Sequence, residues 1–437
     1  MANSYLFRNF TSAGDRKTFT FSAWVKFSDD TSISTLFATG ADSENRLVFI
    51  RHNSGSGSTL KVDGKTSTNQ TIEVRTNRSF RDINAWYHIV LRVDTTQSTA
   101  ADRVRIYVNG VQETSFAQST YPSQDYDTEV NKTANHMVGR YSYSASNYLN
   151  GYMSHVAFVD GASLAPTTFG ETDPTSGIWE FKAPSGVTWG TNGFHLKFEN
   201  SSNLGLDSSS NTANWTSQGD LKQALDTPSN VYATMNSIST DQTLTNGNTT
   251  AQHSGSGDNY QTSPSTLAMI SGKWYCECKV TADSNYPAIG IATTNSIEAT
   301  KLESDWIGKT SNSYGYYLDG EIYNNGSTVA TGQTTFATND IVGMALDLES
   351  AQNTLKFYKN GSLVYTQNIA DTPQGWYFAC TNQGTRTSAR NFFNFGNGFF
   401  GTTAIASAGS NGNGSLFEYD VPSGHYALNT KNINTYG

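Results

Sequence analysis

The chain alternates apolar and polar residues at a period of two in several separate stretches. The clearest example is TFTFSAWVKF at residues 18–27, and similar runs occupy residues 85–94, 103–108 and 152–159. Because successive side chains of a strand point to opposite faces of a sheet, this period predicts β-strands with a buried face. No helical window exceeds two turns, so the pattern predicts an all-β fold.

Two hairpin signals divide these strands into two similar units. Each unit has a long apolar strand, a polar loop, an alternating strand and then an Asn-Gly turn, which is Asn109-Gly110 in the first unit and Asn360-Gly361 in the second. Asn-Gly readily adopts the positive φ angles of a two-residue hairpin. We therefore predict two antiparallel β-sandwiches in tandem, at residues 1–170 and 237–400.

The segment between the predicted sandwiches, residues 171–236, contains Trp179, Trp189 and Trp215. These side chains argue against a disordered linker and predict an ordered connector. Monomeric proteins rarely expose large apolar patches, so the three tryptophans are candidate interface residues. They would pack on the chain's own sandwiches, or against another copy of the chain or a particle shell. Residues 401–437 are predicted to be a C-terminal extension.

Composition and charge exclude several classes of function. The 437 residues include 28 Lys and Arg against 37 Asp and Glu, and the net charge of −9 makes nucleic-acid binding unexpected. No apolar stretch approaches the ~18 residues of a membrane span, and an export signal is lacking, so neither membrane insertion nor secretion is expected. Cys276, Cys278 and Cys380 are predicted to be buried thiols rather than metal or redox groups.

The first unit resembles the laminin-G-like, concanavalin-type jelly roll. The likeness is carried by four segments in a fixed order, which are FSAWVK at 21–26, WYH at 86–88, YVNG at 107–110 and NGYMSHVA at 150–157. The second unit is similar to SPRY-type sandwiches. Its matching segments are GKWYCECKV at 272–280, AIGI at 288–291, YGYY at 314–317, DIVG at 340–343 and FYKNG at 357–361.

The chain as a whole also resembles virion structural proteins of tailed bacteriophages, especially marine ones. Motifs within residues 4–18, 206–209, 226–236 and 422–432 carry this likeness. The resemblance implies a capsid decoration, head fibre or tail appendage that is located in the virion and contacts other virion proteins.

The sequence lacks the motifs of common hydrolases. The nearest approaches to a Gly-x-Ser-x-Gly elbow, at residues 54–57 and 255–257, lie in predicted loops with no helix behind them. No single strand carries the paired carboxylates of a concanavalin-type glycosidase. The chain is therefore predicted not to be an enzyme.

No cofactor is predicted for this chain. Its seven histidines show no zinc-binding spacing. The one alternative is calcium, because Asp29 and Asp30 together with Asp94 or Asp102 would supply oxygen ligands in the manner of some laminin-G-like domains.

Surface recognition is the remaining class of function. Tyrosine and tryptophan on loops offer large, rigid contact areas, and sugar rings stack on aromatic faces. The candidate ligand-binding residues are therefore aromatic side chains in predicted loops of both units, namely Tyr121, Tyr126, Tyr143, Tyr286, Trp306 and Tyr314.

We interpret the sequence as that of a non-enzymatic, all-β virion structural protein that acts through protein contacts and host-glycan adhesion. Homo-oligomers on one particle would convert weak contacts into useful avidity. The alternative is a carbohydrate-active enzyme, such as a polysaccharide depolymerase, whose carboxylates come from different strands. A third interpretation, a secreted bacterial adhesin, is disfavoured by the missing export signal.

Overall fold

The computed structural model describes residues 3–53, 55, 57–255, 259–281, 287–384 and 390–437. The chain forms two compact units, which divide between residues 223 and 224. Antiparallel sheets dominate both units, which confirms the predicted all-β fold with two sandwiches in tandem. No helix in the described residues is long and apolar enough to cross a membrane.

The first unit is a two-sheet sandwich. Its strands are β1 (Tyr5–Asn9), β2 (Thr18–Phe27), β3 (Ser34–Gly40), β4 (Arg46–Asn53), β5 (Ser58–Thr66), β6 (Asn69–Ser79), β7 (Tyr87–Asp94), β8 (Val104–Val108), β9 (Val111–Gln112), β10 (Phe116–Thr120), β11 (Asn135–Val138), β12 (Gly151–Asp160), β13 (Gly170–Thr172), β14 (Trp179–Phe181), β15 (Phe194–Leu196) and β16 (Thr216–Gln218). Sheet A has the order β10-β6-β5-β4-β3-β11-β1-β16, and sheet B has the order β15-β12-β2-β7-β8-β9. Phe21, Phe49 and Phe158 belong to the core between them.

The second unit repeats this architecture. Its strands are β17 (Thr243–Thr245), β18 (Thr250–Gln252), β19 (Tyr260–Pro264), β20 (Lys273–Thr281), β21 (Ala288–Thr293), β22 (Ser313–Tyr317), β23 (Ile322–Asn324), β24 (Ser327–Ala330), β25 (Ile341–Asp347), β26 (Thr354–Lys359), β27 (Ser362–Asn368), β28 (Trp376–Gln383), β29 (Arg390–Asn394), β30 (Phe399–Phe400), β31 (Thr403–Ala404) and β32 (Tyr426–Ala427). Two helices accompany them, α1 (Thr294–Glu303) and α2 (Thr430–Tyr436).

The second unit also has two main sheets around one core. Sheet C has the order β17-β18-β29-β20-β25-β26-β27, with β32 beside β20, and sheet D has the order β19-β28-β21-β22-β23-β24. Cys276, Cys278 and Cys380 are buried in the core as free thiols, as predicted. Burial raises the pKa of Cys380 to about 12, so this thiol is not a reactive one.

The two Asn-Gly turns share the same backbone conformation and the same side-chain hydrogen bond. Asn109 and Asn360 have φ angles of 48° and 47°, and each is followed by a glycine with φ of 79°. The Asn109 Oδ1 atom accepts the backbone N–H of His88 at 2.8 Å, and Asn360 Oδ1 accepts that of Ile341 at the same distance. Each asparagine therefore forms the turn and also joins it to the start of the preceding long strand.

The central strands of each sandwich are buried on both faces. Residues Phe19 to Phe27 of β2 and all residues of β25 are buried. Since alternate side chains point to opposite faces, only half of them can reach the core between two sheets. The other half must be covered by segments outside the main strands.

Such segments cover sheets in both units. The loop after β11 places Tyr141 in a cluster with Val48 on the outer face of sheet A. The segment after β12 places Trp189 against Val159 on the outer face of sheet B. In the second unit, the segment around α1 packs on sheet D, and the segment before β32 packs on sheet C.

A buried carboxylate joins the C-terminal segment to sheet C. Glu277 is fully buried, and its oxygens accept hydrogen bonds from the backbone N–H groups of Glu418 and Tyr419 at 2.8 and 2.9 Å. The Tyr275 hydroxyl and the Asn394 amide donate two further hydrogen bonds, at 3.2 and 3.4 Å. Burial raises the pKa of Glu277 to about 7, although these donors act in the opposite direction.

A buried histidine joins the connector segment to sheet B. The His88 ring is stacked between Trp24 and Trp179, with centroids 4.9 and 5.9 Å away. The Trp179 indole donates to His88 Nδ1 at 2.9 Å, so the proton of the neutral imidazole is on Nε2, which donates to Ser22 Oγ at 2.9 Å. Burial lowers the pKa of His88 to about 3.

Replacing Glu277 by Gln should loosen the C-terminal segment from sheet C. The amide has one acceptor oxygen where the carboxylate has two, so a backbone N–H of Glu418 or Tyr419 loses its partner, at a cost of about 1–3 kcal/mol. Near pH 8, where Glu277 is ionised, hydrogen exchange at these two amides should accelerate roughly 10- to 100-fold. The exposed Glu349→Gln is the matched control and should exchange like the wild type. Unchanged exchange in Glu277→Gln would show that the carboxylate does not hold the segment.

His88 should make the first unit sensitive to acid. Its folded pKa lies below the ordinary 6.5, so the unfolded chain binds a proton that the folded chain excludes. This contribution to stability is complete above pH 6.5 and is lost as the pH falls toward 3. His88→Phe keeps a stacked ring but cannot titrate. Between pH 7 and pH 4.5, its free energy of unfolding should therefore fall by about 2 kcal/mol less than that of the wild type. Denaturant titrations at the two pH values measure this difference, and equal losses in both proteins would contradict the prediction.

Candidate ligand-binding face

The outer face of sheet A has two halves of different chemistry. On the half near β3 and β11, Tyr141 and Tyr143 lie over the apolar side chains of Ala38 and Val48. On β4, β5 and β6 the same face carries charged side chains, of which Arg46, Lys61 and Glu73 remain partly exposed and Asp63 is buried. Water and polar ligands therefore reach this second half of the face, which is the strongest candidate for a functional surface in the first unit.

The charged side chains form a continuous ladder across three neighbouring strands. Arg46 Nη2 lies 2.7 Å from Asp63 Oδ1, and Lys61 Nζ lies 2.9 Å from Asp63 Oδ2 and 2.8 Å from Glu73 Oε1. Asp63 and Glu73 are directly opposite each other in the pairing of β5 and β6. Each charged group is therefore held in one position by a partner on its own or a neighbouring strand.

The ladder affects the protonation of its members. Partial burial acts to lower the pKa of Lys61, but the hydrogen bonds to Glu73 and Asp63 outweigh it and raise that pKa. Burial, with the positive charges of Lys61 and Arg75 nearby, lowers the pKa of His52. At neutral pH the face therefore presents a fixed ammonium group beside a neutral imidazole.

Arg46 connects the ladder to the tyrosines. Its guanidinium carbon lies 5.6 Å from the centre of the Tyr143 ring, and the Tyr141 and Tyr143 rings lie 5.2 Å apart. Burial raises the pKa of Tyr141 to about 12. The face thus combines a half-buried aromatic ring with ordered hydrogen-bond donors and acceptors. This combination suits a ligand that has both an apolar face and hydroxyl groups, such as a sugar.

Tyr126 and Tyr121 differ in their positions relative to this face. The Tyr126 hydroxyl lies 2.6 Å from Thr66 Oγ1 and 3.2 Å from Thr71 Oγ1, at the hairpin that joins β5 and β6. Tyr126 is therefore beside the end of the ladder. Tyr121 is partly buried against the core of the first unit.

The candidate aromatic residues of the second unit differ in how far they are exposed. Trp306 lies 5.0 Å from the Tyr260 ring, with the Lys309 ammonium 4.7 Å above it, and all three remain partly or fully exposed. Tyr314 is instead only 4% exposed, because the YGYY strand is buried on both faces. It has no free face for a ligand. Tyr286 lies outside the described residues.

The three candidate interface tryptophans all belong to the first unit. Trp215 is 3% exposed and lies 4.6 Å from Phe194 in the core, and Trp189 covers sheet B. Trp179 is half-buried over His88. Trp189 and Trp215 are thus buried within the chain's own sandwich, and contact of Trp179 with another copy or a particle shell stays a prediction.

The acids considered for calcium have protein partners. Asp29 Oδ1 accepts a hydrogen bond from Arg51 Nη2 at 2.7 Å, and Asp102 pairs with Arg105 at 2.6 Å. Asp94 accepts hydrogen bonds from the neighbouring loop. In the part of the chain that the structure describes, no three His, Cys, Asp or Glu side chains are grouped as a metal site requires.

Sequence reasoning missed Arg46, Lys61, Asp63 and Glu73. Their functional arrangement depends on the pairing of three strands, which the sequence does not show directly. A local signal was nevertheless present. Lys61 and Asp63 alternate along β5, as do Glu73 and Arg75 along β6, and period-two charges place both pairs on one face of a sheet.

Two family models match the chain. Residues 3–167 match a family described as the concanavalin A-like lectin/glucanases superfamily, and residues 273–395 match the SPRY domain. These ranges fall in the first and second units, respectively. No curated protein matches the chain significantly.

Several solved structures are similar to part of the chain. The SPRY domain of human HERC1 is 17% identical and covers 33% of this chain and 87% of its own, with a TM-score of 0.28. A second human SPRY domain is 16% identical and covers 33% of this chain and 90% of its own, with a TM-score of 0.27. Stonustoxin is 19% identical and covers 37% of this chain and 27% of its own, with a TM-score of 0.30. The two family matches and the observed sheets show a concanavalin A-like domain within residues 3–167 and a SPRY domain within residues 273–395.

Proposed function

We propose that the chain is a non-enzymatic adhesion protein that binds a glycan through the outer face of sheet A. The observation that carries this proposal is the position of Tyr143 beside the ordered ladder of Arg46, Lys61, Asp63 and Glu73. The family matched by the first unit includes lectins by its own description, which supports the same class of ligand.

The geometry favours weak but specific binding of a sugar. The apolar side of a sugar ring would stack on Tyr143, while its hydroxyl groups would exchange hydrogen bonds with Arg46, Lys61 and Glu73. Since ion pairs already fix these side chains, little conformational entropy is lost on binding. The face is shallow, so useful affinity would come from many copies that bind the same glycan polymer.

The proposal places this adhesion protein on the virion of a tailed bacteriophage, as a capsid decoration, head fibre or tail appendage. Two of the virion-like segments, 226–236 and 422–432, pair with each other in the second unit. The backbone N–H of Ala233 donates to the Leu428 carbonyl, and that of Thr430 donates to the Val231 carbonyl, both at 2.9 Å. The two segments therefore form one structural element of the second unit.

The SPRY unit supplies a second surface for protein partners. Trp306, Tyr260 and Lys309 form an exposed patch in which a flat aromatic surface adjoins a positive charge. Tryptophan and tyrosine are enriched among the residues that contribute most to binding between proteins. We assign this patch to contacts with other virion proteins. These contacts would attach homo-oligomers of the chain to the particle.

A carbohydrate-active enzyme is the second candidate, because Asp63 and Glu73 lie opposite each other on the same face. Glycosidases use two carboxylates, one of which must donate a proton. Here the ammonium of Lys61 donates to both carboxylates, and Arg46 also donates to Asp63. Neither group is placed as a proton donor, so the ladder fits binding better than hydrolysis.

Tyr143→Ala should weaken glycan binding about tenfold, because the mutation removes the stacking surface while the ladder remains. A glycan array first identifies the ligand of the wild-type chain, and calorimetry with that glycan then measures the loss. Tyr143→Phe is the matched control, which keeps the ring and should bind like the wild type.

Two results would contradict this proposal. Binding that is equal in Tyr143→Ala and wild type would exclude the tyrosine face. New reducing ends after incubation with the bound polysaccharide, abolished by Glu73→Gln, would favour the depolymerase instead.

The particle location is tested on purified phage that encodes this chain. Mass spectrometry should detect the protein at a constant ratio to the major capsid protein, and electron microscopy with an antibody to the chain should label one position on the particle. Detection in the host lysate but not on gradient-purified particles would contradict a virion role, without affecting the glycan-binding proposal.

A further inference from the structure

A short hairpin covers part of the outer face of sheet B. Its strands, β13 and β14, form a two-stranded sheet of their own. Trp179 and Phe181 are two residues apart on β14, so their side chains share one face of the hairpin. Each of these rings is stacked on a histidine, with Trp179 5.9 Å from His88 and Phe181 3.6 Å from His155 between ring centroids. Because the histidines belong to β7 and β12, with β2 between them, the hairpin bridges three neighbouring strands.

The contact between the hairpin and His88 depends on the protonation of the imidazole. His88 Nδ1 accepts the Trp179 indole N–H at 2.9 Å, and an indole nitrogen can only donate. A protonated imidazole carries N–H groups on both nitrogens, so two donors would then face each other. In residues 57–255, this is the one side-chain hydrogen bond between the hairpin and sheet B. Proton uptake at His88 therefore removes it.

A bulge in β12 directs His155 toward the hairpin. The register of β12 with β2 shifts between Ser154 and Ala157, and His155 has a φ angle of 48°. Bulges frequently re-aim a side chain in this way. In the described part of the chain, the buried Nδ1 atom of His155 has no hydrogen-bond partner. A proton on this nitrogen would thus lack an acceptor while the ring is stacked under Phe181.

The groups around His155 do not favour its charged form. The His195 ring lies 5.7 Å away and would add a like charge if protonated, and Tyr152 lies on the same strand. Lys197 and Glu199 balance each other as an ion pair at 3.8 Å. Burial lowers the pKa of His155 to about 4, although Glu199 acts in the opposite direction.

The sheet around His88 offers no close carboxylate. By strand alternation, the titratable side chains on this part of the outer face are Lys26 of β2, Arg92 and Asp94 of β7, and Arg105 and Tyr107 of β8. Asp94 is the one acid among them. It lies six residues from His88 along β7 and accepts hydrogen bonds from Thr96 and Gln97. The positive charges of this set would oppose a proton on His88.

The acids of the hairpin are engaged elsewhere. Glu171 pairs with Lys182 at 3.1 Å, and Asp173 accepts the backbone N–H of Ser176 at 2.6 Å. Glu180 alternates with the two stacked rings along β14 and is exposed on the opposite face. Closure of the hairpin therefore brings no counter-ion to either histidine.

We propose that the β13–β14 hairpin is a pH-operated flap, which detaches from sheet B when His88 and His155 become protonated. Detachment lets both imidazolium rings reach water and exposes the Trp179 and Phe181 rings. Each strand has only three residues, and such a hairpin is marginal in isolation, so its own hydrogen bonds should also open. Both histidines lie on the outer face, so the core between the sheets stays closed. The flap does not depend on the glycan-binding role proposed for sheet A.

Hydrogen-exchange mass spectrometry of the full chain at pH 7 and pH 5 tests this flap. After correction for the intrinsic pH dependence of exchange, amides of residues 170–181 should exchange about 100- to 1,000-fold faster at pH 5. Each histidine contributes up to about tenfold for each pH unit below 6.5, because only the open form binds its proton readily. Amides of β2 should keep their protection.

Non-titrating variants assign the response to the two histidines. His88→Phe keeps a stacked ring, and His155→Asn tolerates the left-handed backbone. Each single variant should retain part of the acid response, and the double variant should lose it. His52→Phe, on sheet A, is the matched control and should respond like the wild type. A melting curve checks that every variant is folded.

Four results would overturn the proposal. Unchanged exchange of residues 170–181 in the wild type would show that the hairpin does not open. Slower exchange at pH 5 would show that attraction between imidazolium and the aromatic faces dominates. A full acid response in the double variant would exclude the histidines. Equal acceleration in β2 would indicate unfolding of the whole unit instead of a flap.

Discussion

The structure depends on burying both faces of its central strands. A sandwich core covers only one face of each sheet, yet both faces of β2 and β25 are buried. Exposing the second face would cost about 25 cal/mol for each Å² of apolar surface. Segments that a sequence pattern assigns to connectors, loops or extensions therefore become integral layers of the two sandwiches. Residues 171–223 and the C-terminal segment belong to the domains for this reason.

These covering layers are fixed by polar groups as well as by apolar packing. Burial is non-directional, so it holds a segment against a sheet without specifying its register. Glu277 specifies the register of the C-terminal segment, because its carboxylate accepts two consecutive backbone N–H groups. His88 does the same for the segment that contains Trp179, through one hydrogen bond and one ring contact with that tryptophan. Each anchor is buried and matched with donors or acceptors, so displacing the segment would leave polar groups unpaired.

The sequence predicts what depends on neighbouring residues and misses what depends on distant ones. Period-two alternation and the Asn-Gly turns predicted the strands and both sandwiches, because these signals act within a few residues. The sequence left open where the connector packs and did not identify the C-terminal cover, because such contacts join distant positions, as Glu277 and Glu418 do across 141 residues. Tyr314 was assigned to a loop, whereas its strand is buried on both faces. Tyr143 was identified, but the ladder beside it required the pairing of three strands.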